Sequence, residues 1–178
     1  MRRDPLAQPE EAIRRVYAYA AYRIGAGADA EDVVSETIER ALRYRDSYDH
    51  RKGSPAGWLV AIASHVIADR RREAAGRVGL DDADEVSSGE DLAARSERRL
   101  DLRQAVALLD ERSRHLLALR YGADLKAREI AELLELKTNA VEVALHRALE
   151  RLRGLMEEGE PAGERRGVAL AREADSRG

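Results

Sequence analysis

The chain has no cysteine and no phenylalanine among its 178 residues, with only one tryptophan and four prolines. Without cysteine, disulfides and thiolate metal sites are excluded, and an intracellular, cytoplasmic location fits. No apolar run approaches the roughly 20 residues that span a bilayer, so no membrane insertion is expected. The stretch from Met1 to Glu10 is polar and lacks the apolar core of a signal peptide. The β-branched runs that strands need are missing too. Metal-ligand spacing is absent: His50, His65, His115 and His146 are scattered, and no two sit one helical turn apart. With no strand, there is no strand-led glycine loop for phosphates. The expectation is no enzyme, no cofactor and no metal.

What is present favours helices. Alanine, leucine, arginine and glutamate dominate, and these side chains lose little rotamer freedom in a helix. The fold class expected is all-α, built as two small helical domains joined by a flexible acidic linker. Net charge is only −3, but its distribution is uneven. Arg51, Lys52, Arg70, Arg71, Arg72 and Arg77 form a basic block, and the run Asp81 to Asp91 that follows is acidic, without Lys or Arg. The sign flips near Leu80. The boundaries expected are 1–78 and 92–156 for the two domains, with a linker at 79–91 and a disordered tail at 157–178. Roughly 15 disordered linker residues could extend to about 50 Å.

Helical spacing of Ile13, Val16, Tyr17, Ala20 and Ile24 predicts a first helix from about Glu10, stopped by Gly25 and Gly27. Asp29 is the expected cap of a second helix that turns Val33, Val34, Ile38, Ala41 and Leu42 inward. Its Asp32, Glu36 and Glu39 share another face, which either meets a basic partner or is simply solvated. A polar loop over Asp46 to Gly53 follows. Ser54-Pro55 is a cap and first-turn pair for a third helix, with Trp58, Leu59, Ile62, Val66 and Ile67 apolar and Arg70 to Arg72 at its end. Trp58 is expected in the core and His65 at the surface.

In the second half, Leu100, Ala107 and Leu108 mark one helix, and Asp110 caps the next, with Leu116, Leu117 and Leu119 inward. Tyr121-Gly122 breaks it. Two closely spaced helices, about Lys126 to Leu134 and Asn139 to Gly154, have helix-turn-helix spacing, with Ile130, Ala131, Leu134, Leu136, Val141 and Leu145 as shared core. Such a unit presents the start of its second helix to base edges in a major groove. Here that start offers Thr138, Asn139, Glu142 and Val143, with His146, Arg147, Arg151 and Arg153 beyond. An ordinary hairpin with a solvated basic face is the alternative. The basic third helix and its loop could likewise hold single-stranded DNA, or Arg70 to Arg72 could only complement a helix dipole.

The stretches Asp29-Ala-Glu-Asp-Val-Val-Ser-Glu-Thr-Ile-Glu-Arg-Ala, Gly53-Ser-Pro-Ala-Gly-Trp-Leu-Val-Ala-Ile-Ala and Asp69-Arg-Arg-Arg resemble region 2 of bacterial sigma factors of the extracytoplasmic-function (ECF) type. Leu109-Asp-Glu-Arg-Ser-Arg-His-Leu-Leu-Ala-Leu-Arg-Tyr, Ile130-Ala-Glu-Leu-Leu and Leu145-His-Arg-Ala-Leu-Glu-Arg-Leu-Arg resemble region 4. The resemblance covers about Glu10 to Met156. It implies RNA polymerase core and promoter DNA as partners, with an anti-sigma protein as a further one. Asp32, Ser35, Glu36 and Leu42 match positions that grip the β′ clamp helices of polymerase. Tyr48, His50, Arg51, Lys52, Ser54, Ser64, His65, Arg71 and Arg72 match the surface that melts and holds the minus-ten element. Lys126, Arg128, Thr138, Asn139, Glu142, His146, Arg147 and Arg151 match the reader of the minus-thirty-five duplex.

The chain departs from the family pattern in places. Ser35 stands where Gln is usual, Ile38 where Phe is frequent, and His65 where Asn is common. The usual recognition run Thr-Val-Lys/Arg-Ser-Arg is replaced by Ala140-Val141-Glu142-Val143-Ala144, so two cations are missing. Glu142 either accepts from a cytosine amino group or closes an Asn139-x-x-Glu142 capping box, the cap being the favoured reading. Glu135 replaces a turn glycine. A sigma mimic that sequesters an anti-sigma protein without directing transcription is the competing function.

Overall fold

A computed structural model of the chain describes residues 4–77 and 102–159. The acidic run, and with it the expected linker, lies outside them, as does most of the expected tail. Every regular element among the described residues is helical. The first three are α1 (Pro9–Ile24), α2 (Ala28–Tyr44) and α3 (Pro55–Arg77), with a short 3₁₀ turn at Arg45–Ser47. A helical stretch over 102–108, α4, opens the second half. Then come α5 (Glu111–Leu117), α6 (Ala127–Leu134) and α7 (Thr138–Gly159).

Local chemistry sets these ends. Gly25, at φ 93°, closes α1 in a backbone region that an L side chain rarely adopts. Gly27, not Asp29, caps α2; Asp29 and Glu31 sit in the first turn, where the helix dipole favours carboxylates. Ser54 caps α3 as expected, its Oγ accepting from the Gly57 N–H at 3.2 Å. Asp110 likewise accepts from the Ser113 N–H at 2.9 Å and starts α5. α5 runs into a π-helical turn, Ala118–Gly122, whose Ala123 N–H reaches back to the Ala118 carbonyl at 2.9 Å. The arginine run does not end α3, which continues to Arg77.

Some sequence-based inward assignments shift by one position. Tyr19 is fully buried on α1, whereas Ile13 is 44% exposed. On α2 the inward set is Ala30, Val33, Val34, Thr37 and Ala41, and Leu42 is exposed. Leu108 and Leu136 are also exposed; Ala105, Val106 and Leu109 take the core side of the earlier stretch. At Ile13 and Leu42 the large apolar residue sits one step off the stripe, and packing buries the smaller neighbours Ala12 and Ala41 instead.

The two helical halves expected from the sequence also pack on each other. One core of buried residues runs from Val16, Tyr19 and Val33 through Leu59 and Val66 to Leu117, Leu119, Leu125 and Ile130. α1 packs on α2 and α3 on one side, and on α5 and the π-helical turn on the other. Gly122 makes this contact possible. A Cβ at that position would lie 2.9 Å from the Ala18 carbonyl oxygen and from the Tyr19 N and Cα, all backbone atoms.

Two stability predictions follow from the backbone. Gly122→Ala should destabilise by about 1–3 kcal/mol through overpacking, read as a lower melting temperature together with a larger radius of gyration in X-ray scattering. Glu135 ends α6 at φ 55°, the left-handed region that glycine fills without strain. Glu135→Gly should therefore stabilise by about 1 kcal/mol, or about 2–4 °C in Tm for a chain of this size.

Candidate polymerase and promoter interface

The acidic face of α2 is more neutral than its spacing implied. Glu36 pairs with Arg40 at 2.6 Å and with Arg70 of α3 at 3.3 Å, and Asp32 meets Arg70 at 3.5 Å. Arg40 also holds Asp69 at 2.9 Å. The Arg40 hydrogen bond draws the Asp69 carboxyl below its usual range. Ser35 faces outward and its Oγ donates to the Glu31 carbonyl at 3.0 Å. Leu42, 53% exposed, gives this face an apolar end. The result is a half-screened patch of Asp32, Ser35, Glu36 and Leu42 anchored against α3.

The loop after α2 is braced by aromatics. The Tyr48 ring lies 5.5 Å from that of Trp58, and its hydroxyl donates to the Gly53 carbonyl at 3.0 Å. Trp58 is half-buried against the core. That frame leaves His50, Arg51 and Lys52 at the surface. Asp49 chelates Arg51 through its backbone and guanidinium, and the guanidinium hydrogen bond holds the Asp49 carboxyl down at about 2. His65 is exposed, its Nδ1 2.8 Å from the Ala61 carbonyl. Arg72 reaches Asp69 at 3.0 Å. Ser64 is engaged elsewhere, hydrogen-bonded to the Tyr19 hydroxyl.

The helix-turn-helix forms as its spacing predicts. Ile130, Ala131, Val141 and Leu145 are buried together, and Leu134 packs beside them. Glu129 caps α6 by accepting from the Lys126 N–H at 2.9 Å. Arg128 pairs with Glu132 at 3.0 Å. Thr138, Asn139, Glu142, His146, Arg147 and Arg151 are all exposed on α7. The expected capping box is absent: α7 begins at Thr138, so Asn139 is already helical and Glu142 lies more than a turn inside. The Glu142 carboxylate faces solvent instead.

Between the two halves lies a cluster that spacing did not reveal. Arg23 of α1 is only 7% exposed; it donates to the Tyr19 hydroxyl at 2.9 Å and pairs with Glu111 of α5. Arg71 of α3 reaches the same Glu111 oxygen at 2.7 Å. Burial pushes the Glu111 carboxyl up, but the Arg71 hydrogen bond and the two guanidinium charges outweigh it and leave it low. His115 stands edge-on to Tyr19, ring centroids 6.0 Å apart, with its Nε2 buried and unpartnered. Two turns earlier on α1, Arg15 donates to the Ala123 carbonyl at 2.9 Å. A cleft of about 450 Å³ beside it brings Ser54 and Lys126 together, one residue from each half's candidate set. One signal was available in the sequence: Arg23 continues the inward row Val16, Tyr19, Ala20, where a cation needs a partner.

Compared with known proteins, residues 10–77 match the family model "Sigma-70 region 2" and residues 99–152 match "Sigma-70, region 4". The ECF RNA polymerase sigma factor SigD of Mycobacterium tuberculosis is 33% identical over 168 residues, which is 85% of this chain and 76% of the relative. BldN of Streptomyces coelicolor, also an ECF RNA polymerase sigma factor, is 32% identical over 147 residues; they make up 79% of this chain and 56% of BldN. The solved sigma factor RpoE of Bartonella quintana, held in complex with the anti-sigma factor NepR, shares the fold. Its TM-score is 0.64 at 19% identity, covering 84% of this chain and 94% of that one. The chain belongs to the sigma-70 family, within its ECF type. Sigma factors are transcription initiation factors, not enzymes.

The buried imidazole gives a pH signature. Burial, then the Arg23 charge, pulls the His115 pKa down from 6.5 to about 4, with Glu111 opposing. Between pH 6.5 and 4 the unfolded chain therefore takes up a proton that the folded chain refuses, and stability falls as pH drops through that window. His115→Gln should flatten that part of a melting-temperature profile. The carboxylates Asp110 and Glu111, both depressed, add further loss below about pH 4.5, and this should persist in the variant.

Proposed function

We propose that this chain binds RNA polymerase core and directs it to promoters, melting the minus-ten element with one half and reading minus-thirty-five duplex with the other. The observation that carries the reading is the pairing, in one chain, of a helix-turn-helix with an aromatic-braced basic loop, each presenting exposed donors. A phosphate backbone attracts such cations, and unstacked bases fit a loop that mixes them with small polar groups. The α2 patch of Asp32, Ser35, Glu36 and Leu42 is the grip on the polymerase clamp. His50, Arg51, Lys52, Ser54, His65 and Arg72 are the minus-ten surface, and Tyr48 shapes it. Arg71 joins that surface once Glu111 releases it. Lys126, Arg128, Thr138, Asn139, Glu142, His146, Arg147 and Arg151 serve the duplex, and the exposed Glu142 carboxylate, with no cap to close, accepts from a cytosine amino group. The chain acts in the cytoplasm, where polymerase and promoters are.

Elements some 25 base pairs apart are separated by about 85 Å of B-DNA. The halves, functional domains spanning 1–78 and 92–156, must therefore part on promoter DNA, breaking the Arg23–Glu111–Arg71 cluster. An anti-sigma protein is the natural antagonist of such an opening. The competing reading, a mimic that only sequesters an anti-sigma protein, is favoured solely by the two cations missing from α7.

Run-off transcription with core polymerase on a promoter library tests the reading. Initiation from a defined motif is expected, and retention of the chain on core polymerase without initiation would point to the mimic. Arg51→Ala with Lys52→Ala should leave core binding intact. It should lower the log–log salt slope of promoter binding by about two if both contact phosphates.

A further inference from the structure

A groove of about 500 Å³ runs between α5 and the first turns of α7. Its floor is apolar, made by Leu116, Ala140 and Val143, and its rim holds Arg112, Lys137 and Arg147, with no carboxylate among the lining residues. Val143 is 43% exposed, a large apolar side chain left in solvent one turn after Asn139 and one turn before Arg147. These three residues form a single i, i+4, i+8 row along the helix face. Nothing in the packing of the C-terminal half needs Val143, since Val141 and Leu145 already fill the core side.

The cationic rim suits a polyanion, and an exposed apolar side chain between a cation and an amide matches one feature of the major groove. Among the base edges there, only thymine offers an apolar group, its C5 methyl, while adenine offers the donor–acceptor pair that an Asn amide can bridge. An arginine at this position would favour guanine; valine cannot accept or donate and cannot read guanine at all. We propose that Val143 reads the C5 methyl of a thymine in the minus-thirty-five duplex. The thymine lies within one or two base pairs of an adenine bridged by Asn139, and Arg112, Lys137 and Arg147 hold the flanking phosphates. The spacing follows from the helix: one turn rises about 5.4 Å, between one and two base-pair steps. The recognition helix, short of cations at 142 and 144, thus gains a methyl contact at 143, adding affinity that salt does not screen where salt-screened affinity is lost. This inference rests on α7 being the duplex reader.

The test uses holoenzyme, the full chain assembled on core polymerase. Duplexes randomised across the minus-thirty-five window are selected for binding, and in the best one each thymine is replaced singly by deoxyuridine, which removes only the methyl. One position should show about a fourfold loss of affinity, the worth of one buried methyl group, and Val143→Ser holoenzyme should show no loss there. Asn139→Ala should relax the preference for adenine beside it. If no thymine is deoxyuridine-sensitive, or if Val143→Ser keeps the same sensitivity, the methyl contact is wrong while duplex reading stands. If selection enriches no sequence in that window although initiation proceeds, α7 does not read the duplex, and both ideas fall together.

Discussion

The guanidinium of Arg23 is buried where the two halves of the chain meet, and much of the arrangement answers to it. A buried cation costs several kcal/mol unless a counter-charge and hydrogen bonds compensate. Glu111 supplies the charge from the second half, and the Tyr19 hydroxyl accepts one N–H from the first. Arg71 then shares Glu111, so a residue of α3 is drawn into the same cluster. Gly122 lets the chain backbone approach closely enough for the cluster to close. The pairing is sound but incomplete: the Arg23 Nε and the His115 Nε2 are both buried without a partner. A contact so satisfied in charge and so unsatisfied in hydrogen bonds is one that can be exchanged for another.

That balance suits the two arrangements that the proposed function calls for. Packed together, the halves bury the shared apolar core. Spread along a promoter, they would lose that burial and gain contacts to polymerase and DNA. The surfaces assigned to polymerase and DNA lie mostly outside the contact between the halves: the α2 patch, the braced loop and the start of α7 are open to solvent. The exceptions are Arg71 against Glu111, and Ser54 with Lys126 in the cleft beside Arg15, where closure would compete with the proposed contacts.

Much of the local structure was legible in the residues. Ser54, Asp110 and the glycines at 25 and 27 mark helix ends because capping is decided by neighbours a few positions away. Glu135 marked itself as an oddity, a carboxylate where a turn favours glycine, and its backbone is in the left-handed region. The capping role of Glu142 failed because helix α7 starts one residue earlier than its spacing suggested. Leu42, Leu108 and Leu136 were misplaced for a different reason. Periodicity ranks faces by hydrophobicity, but which face is covered depends on which element arrives to cover it.

Composition and pattern alone determined the all-α class and the helix-turn-helix, and the quoted stretches in their order carried the family resemblance, since helix propensity, turn chemistry and motif order are properties of consecutive residues. The docking of α1 on the π-helical turn, the shared carboxylate of Glu111 and the solvent-facing position of Val143 were decided only in three dimensions. Those features join residues about 40 to 110 positions apart, or depend on which side of a helix stays uncovered, and no local rule reaches that far.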